Sequence, residues 1–242
     1  MNTILITGAS SGIGKATAET FLDAGWRVGL VARRAAPLDE MAAKYENAIA
    51  LPGDVTDPDA MEAVFRDFVA QAGRLDVLFN NAGMFGQGGT IDTIPVSAFD
   101  EVVAVNLRGM FICARLAFQH MRVQEPQGGR IINNGSISAH VPREASVCYT
   151  TTKHAITGLT RSLSLDGRPF DIACGQIDIG NAATEMVAAQ AARLAAEGKP
   201  AQATMDVGHA AQSVLHMAEL PLAANVQFMT VMATKMPYIG RG

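Results

Sequence analysis

The sequence predicts an α/β fold, a three-layer, doubly wound parallel sheet of about seven strands with helices on both faces. Three observations predict it. Short unbroken apolar runs alternate with segments of helical spacing along the 242 residues. Strands of a parallel sheet read this way because both of their faces are covered. A glycine-rich turn, Gly8-Ala9-Ser10-Ser11-Gly12-Ile13-Gly14, stands between the first apolar run and the first helical segment. The composition, 49% hydrophobic and 17% charged, fills a sizeable core and excludes a disordered chain.

The elements follow in order. Residues 3–6 form a short apolar strand, and residues 13–24 carry helical spacing that Gly25 stops. Residues 27–31 read as a second strand. Pro37 opens a second helix, since proline suits a first helical turn. Ile49-Ala50-Leu51 is a third strand, and Pro58 starts another helix behind the capping candidate Asp57. Residues 75–79 give a fourth strand, followed by a long helix over 99–122. Residues 130–134, 171–176 and 226–231 give strands five to seven, with a helix over 148–165 between the fifth and sixth. No linker divides the chain, so residues 1–242 read as one domain. Residues 179–206, rich in alanine and polar side chains around Gly198-Lys199-Pro200, read as a helical lid near the sheet edge.

The net charge of -4 argues against a nucleic-acid footprint, which needs a basic excess. Cys113, Cys148 and Cys174 form no CxxC pair and fit a reducing compartment. Met1 runs straight into an apolar strand with no basic start, and no run reaches about 18 apolar residues, so neither an export signal nor a membrane span is expected. The expectation is a soluble, cytoplasmic protein with neither nucleic-acid nor membrane partners. His120, His140, His154, His209 and His216 lack ligand spacing and are assigned surface or capping roles, with no metal.

The glycine turn has the context a dinucleotide needs, strand before and helix after. Glycines let a pyrophosphate approach the main chain, and the helix N-terminus offers donors and partial positive charge. At the end of the second strand, where an acidic residue would accept from a ribose 2′-hydroxyl, stands Ala32-Arg33-Arg34. Two guanidiniums suit a 2′-phosphate, which favours NADP(H) over NAD(H). The other reading is a pair of solvated surface arginines.

Tyr149 and Lys153 lie four apart and share one helix face. A free phenol titrates near pH 10, and an ammonium a few ångströms away stabilises the phenolate. The spacing alone is common; its companions are not. Thr7-Gly8-x-x-x-Gly12-x-Gly14, Asn80-Asn81-Ala82-Gly83, Asn106, Ser136 and Tyr149-x-x-x-Lys153 occur in this order. The set resembles the short-chain dehydrogenase/reductase family, in its shorter single-domain branch, over residues 2–176 and more loosely to the end.

The resemblance implies a Rossmann-type dinucleotide-binding and catalytic domain that moves hydride between NADP(H) and a small carbonyl or alcohol. Tyr149 would be the acid/base residue. Ser136, thirteen positions earlier, would hydrogen-bond the same substrate oxygen, with Ser138 accessory at best. Lys153 would hold the nicotinamide ribose and favour the phenolate, and Asn106 would anchor a water linking Lys153 to solvent. Gly8, Ser10, Ser11, Gly12, Ile13 and Gly14 would cradle the pyrophosphate. Arg33 and Arg34 would meet the 2′-phosphate, and Asp54, followed by Val55, the adenine. Asn80 to Gly83, including Asn81 and Ala82, would support the sheet beside the cofactor, and Thr184 would contact the carboxamide.

The usual Pro-Gly pair after strand six is absent from Cys174-Gly175-Gln176-Ile177-Asp178-Ile179-Gly180, so Ile177 to Ile179 must approach the cofactor differently. Arg143 reads as a solvated loop arginine, with a substrate carboxylate as its other possible partner. The resemblance implies a homo-oligomer, a dimer or tetramer, with the helices around 99–122 and 149–165 as the main interface and the apolar final segment at a subunit contact; the other reading of that segment is a last strand with a short ordered tail. Two other functions fit less well. A redox sensor acting through a protein partner could lose Tyr149 or Lys153, yet both are present. A sugar-nucleotide epimerase would need a longer substrate domain.

Overall fold

The computed structural model describes residues 1–196, 198 and 202–239. Its strands are β1 (Thr3–Thr7), β2 (Arg27–Ala32), β3 (Ala48–Pro52), β4 (Val77–Asn80), β5 (Gly129–Asn134), β6 (Ile172–Gly180) and β7 (Phe228–Met232). They form a seven-stranded sheet in the order β3-β2-β1-β4-β5-β6-β7. Every neighbouring pair is parallel. The chain works outward from β1 to β3 and then restarts beside β1 with β4. That reversal leaves a crevice beyond the carboxyl ends of β1 and β4, the place where open α/β sheets bind ligands.

The helices are α1 (Gly12–Asp23), α2 (Ala36–Lys44), α3 (Pro58–Ala72), α4 (Val96–Val103), α5 (Met110–Val123), α6 (Val147–Gly167), α7 (Glu185–Ala196) and α8 (Val207–Glu219). Strand side chains alternate between faces, so each strand feeds two cores. Ile4, Ile6, Val77 and Phe79 meet Phe21 of α1, Leu38 of α2 and Val214 of α8 on one side. Leu5 and Leu78 meet Phe65 and Phe68 of α3, Leu116 of α5 and the partly buried Leu163 of α6 on the other. These are the three layers that the alternating runs imply.

Local chemistry sets the boundaries. Asp57 caps α3 by accepting from the N–H groups of Asp59 and Ala60 at 3.0 and 3.1 Å. Pro95 sets the start of the fourth helix at Val96, three residues before the sequence expectation of 99. The long helix that follows is interrupted by a π-helical turn over Ala104–Gly109. β6 runs to Gly180 rather than stopping at residue 176, and it pairs with β7 to its end, Gly180 with Met232. The segment expected as a lid over 179–206 is therefore corrected. Ile179 and Gly180 are strand, the helix is Glu185–Ala196, and residues 197 and 199–201 lie outside the described residues. Beyond β7, Ala233 and Met236 fold back onto Ile137, so the chain's final described turn covers the loop after β5. Residues 240–242 of the apolar final segment also lie outside the described residues.

Candidate active site

The turn after β1 is built by glycines in the left-handed region, Gly8 at φ +69° and Gly12 at φ +54°. Ser11 enters α1 in extended conformation and makes no side-chain capping bond, so its first-turn N–H groups face the crevice uncapped by the helix itself. A Cβ on Gly14 would stand 2.2 Å from the Gly8 carbonyl oxygen, so any side chain there would force the turn to shift. Asn81 locks the turn to the sheet. Its Nδ2 donates to the Thr7 carbonyl at 2.9 Å, and its Oδ1 accepts from Asn134 at 2.8 Å. Thr7 Oγ1 in turn accepts from the N–H groups of Asn81 and Ala82, each at 2.9 Å. The ends of β1, β4 and β5 are thus fastened together at the switch point. Asn80 is buried beneath them and donates to the Met110 carbonyl at 2.7 Å.

Above this floor lies a cleft of about 730 Å³. Its walls include Gly8, Ser10, Ser11, Gly12, Ile13, Arg33, Arg34, Asp54, Val55, Asn81, Ala82, Gly83, Tyr149, Lys153 and Thr184, all expected from the sequence to bind cofactor. Gly14 sits beneath it. Both arginines are exposed at the mouth, and Arg34 Nη2 lies 3.4 Å from Ser10 Oγ. Asp54 Oδ1 accepts from the Thr56 N–H and hydroxyl, each at 2.9 Å, fixing the turn that presents it. Met84, Val105, Ile179, Glu185 and Met186 also line the cleft. Ile179 lies in the segment expected to approach the cofactor differently, and Glu185 and Met186 directly follow Thr184.

Tyr149 and Lys153 rise from the first turns of α6. Lys153 is 4% exposed, and its Nζ donates to the Asn134 carbonyl at 2.8 Å while lying 5.4 Å from the Tyr149 ring centre. A buried ammonium needs such a partner, because its desolvation is costly. The Phe85 ring packs 5.2 Å from that of Tyr149. Asn106 is fully buried in the π-helical turn, a distortion that re-aims side chains at functional sites. Its Oδ1 accepts from the Met84 N–H and its Nδ2 donates to the Met84 carbonyl, each at 2.8 Å. The same Nδ2 reaches Thr152 Oγ1 at 3.2 Å, beside Lys153.

Ser136 begins a short 3-10 turn, Ile137–Ala139, and its Oγ accepts from the Ser138 N–H at 3.1 Å. Its own hydroxyl proton is therefore free to donate. Ser138 is fully buried and its Oγ has no hydrogen-bond partner among the described residues.

Two loop residues have partners that the sequence did not show. His140, read as a surface or capping residue, is half-exposed and places Nε2 2.7 Å from Asp178 Oδ2. Arg143, read as solvated, is half-buried and donates from Nη2 to Asn181 Oδ1 at 3.0 Å. Asp178 itself was missed; a carboxylate inside an apolar run signals a strand end unless its tertiary donors are known.

Among the described residues no three His, Cys, Asp or Glu side chains gather to hold a metal. No helix among them is long and apolar enough to cross a membrane.

A family model described as short chain dehydrogenase matches residues 2–195. The 2-(R)-hydroxypropyl-CoM dehydrogenase of Xanthobacter autotrophicus is 37% identical over 189 residues, covering 75% of each chain. Levodione reductase superposes with a TM-score of 0.88 at 26% identity over 95% of both chains. The 3-ketoacyl-(acyl-carrier-protein) reductase of Brucella melitensis complexed with NADH, at 22% identity, shares the fold with a TM-score of 0.86 over 96% of both.

Proposed function

The chain belongs to the short-chain dehydrogenase family, and from that premise we propose that it is an NADP(H)-dependent oxidoreductase acting on a small carbonyl or alcohol, with Tyr149 as its acid/base. The coarser part, a dehydrogenase or reductase using a nicotinamide dinucleotide, follows from membership. One observation carries the finer reading: Tyr149 and Lys153 open onto the same cleft as the phosphate turn and the Arg33-Arg34 pair.

The residues fit the dinucleotide. Gly8 and Gly12 border the cleft without side chains, and the N-terminus of α1 supplies main-chain donors for a pyrophosphate. Arg33 and Arg34 would hold the 2′-phosphate by charge-assisted hydrogen bonds, and Asp54 the adenine end. Lys153 would hold the nicotinamide ribose, and Thr184 the carboxamide. When bound, the nicotinamide supplies or accepts the hydride.

The protein's own work is with the proton and the charge. A carbonyl oxygen gains negative charge as it is reduced, and preplaced hydroxyl donors stabilise it. Ser136, whose Oγ already accepts from Ser138, donates to that oxygen. Tyr149 delivers the proton, and the Lys153 ammonium favours the phenolate left behind. Phe85 packs on the Tyr149 ring and would hold its orientation. In this reading residues 1–242 act as one dinucleotide-binding and catalytic domain. The exposed Phe111 on α5 and Leu165 on α6 support self-association into a homo-oligomer, which light scattering after size exclusion would measure.

The test is oxidation of NADPH at 340 nm over a panel of ketones and aldehydes, with the reverse reaction on the matching alcohols. Tyr149→Phe should lower kcat by about 100-fold or more while leaving NADPH affinity unchanged. Full turnover in that variant would overturn the mechanism.

A further inference from the structure

Asp178 is a fully buried carboxylate that the mechanism above does not use. Three donors converge on it. Oδ1 accepts from the Ser136 N–H at 2.8 Å and from Gln176 Nε2 at 2.7 Å, and Oδ2 faces His140 Nε2 at 2.7 Å. A carboxylate only accepts, so His140 Nε2 is the donor. Gln176 is itself held by α6, the helix of Tyr149 and Lys153. Its Nε2 donates to Thr157 Oγ1, and its Oε1 accepts from Thr160 Oγ1, each at 3.2 Å. Gly135 leaves the space: a Cβ there would come within 2.0 Å of Asp178 Oδ1.

Removing a carboxylate from water is unfavourable, and paired, charge-assisted hydrogen bonds offset this only in good geometry. An apolar residue would sit in a buried strand without that difficulty. The placement of Asp178 is explained by what it orients. Through one main-chain N–H it fixes Ser136, whose Oγ is turned by Ser138 so that only the hydroxyl proton is left to give.

We propose that Asp178, braced by Gln176 and His140, is a positioning residue that sets the Ser136 hydroxyl against the substrate oxygen. This rests on the oxidoreductase reading, and Asp178 touches neither substrate nor cofactor. It links the floor of β6, the catalytic helix α6 and the loop after β5 through one carboxylate.

The experiment uses the full chain with ¹⁵N-labelled serine, the Ser136 amide being assigned by its disappearance in Ser136→Ala. Asp178→Ala, Asp178→Asn and His140→Ala are compared by Ser136 amide exchange, NADPH affinity by calorimetry, and kcat and KM. Asp178→Ala should speed exchange of the Ser136 amide and lower kcat about tenfold, the effect of one hydrogen bond, with NADPH affinity within about twofold. Asp178→Asn keeps an acceptor for Ser136 and should restore most of both; a general packing defect would not be rescued this way. His140→Ala, at a half-exposed site, should show a smaller loss of the same kind and decides the matter if Asp178→Ala does not fold. Unchanged Ser136 exchange, or unchanged kcat in folded Asp178→Ala, would overturn the proposal. A wild-type chain without turnover would instead sink the oxidoreductase reading, recognisable because the Ser136 amide would still respond to Asp178.

Discussion

Lys153 donates its ammonium proton to the carbonyl oxygen of Asn134 at 2.8 Å, so the residue that faces the cleft also ties α6 to the end of β5. Replacing it removes a charge and a tether at once. Lys153→Met should lower kcat/KM by about 100-fold or more, measured by NADPH oxidation. Lys153→Arg should not restore it, because a planar guanidinium cannot occupy the buried site of a compact ammonium.

The Gly8 carbonyl and Gly14 leave no space between them for a side chain. Gly14→Ala should cost about 1–3 kcal/mol of stability through overpacking. It should also abolish measurable dinucleotide binding. Calorimetric melting and titration with NADPH check the two effects separately.

Arg33 and Arg34 stand exposed at the cleft mouth with no carboxylate on either wall position they occupy. Changing both to alanine should reduce the preference for NADPH over NADH by about 10- to 100-fold, the range of one or two hydrogen bonds to a charged group. The ratio of kcat/KM for the two cofactors is the measurement. An unchanged ratio would remove the 2′-phosphate assignment.

Arg130 is buried far from the cleft, where it donates to Asn225 Oδ1 and to the carbonyls of Leu220, Pro221 and Ala224. Burial pushes its pKa down, working against its charge. Arg130→Leu strands those acceptors in the loop before β7 and should cost about 2–4 kcal/mol. Thermal melting should show this.

Burial pushes the thiols of Cys113 and Cys174 up to about 12. Thiolates, not thiols, react, so neither should be modified by a disulfide reagent at pH 8 until the chain unfolds. Peptide mapping after timed labelling, with and without denaturant, distinguishes the two conditions.

Much of this was legible from the sequence because local rules decided it. The strand-turn-helix at residues 3–23 is encoded by an apolar run, glycines and helical spacing that all act within one turn of chain. The Tyr149/Lys153 pair needs only helical geometry to share a face. What escaped depends on distant partners. Asp178 looks like a strand terminator until Ser136, Gln176 and His140 are brought to it. The partners of His140 and Arg143 are likewise hidden until β6 extends beneath their loop. The π-helical turn at Asn106 is a further case, since the deviation is held by bonds to Met84, 22 residues away.

The turn beyond β7, where Ala233 and Met236 pack on Ile137, has a practical consequence for redesign. It makes the packing of the loop that begins at Ser136 depend on side chains nearly a hundred positions away. A graft of the β5 loop between relatives should therefore carry its matching segment after β7, or the loop loses the apolar surface it packs on.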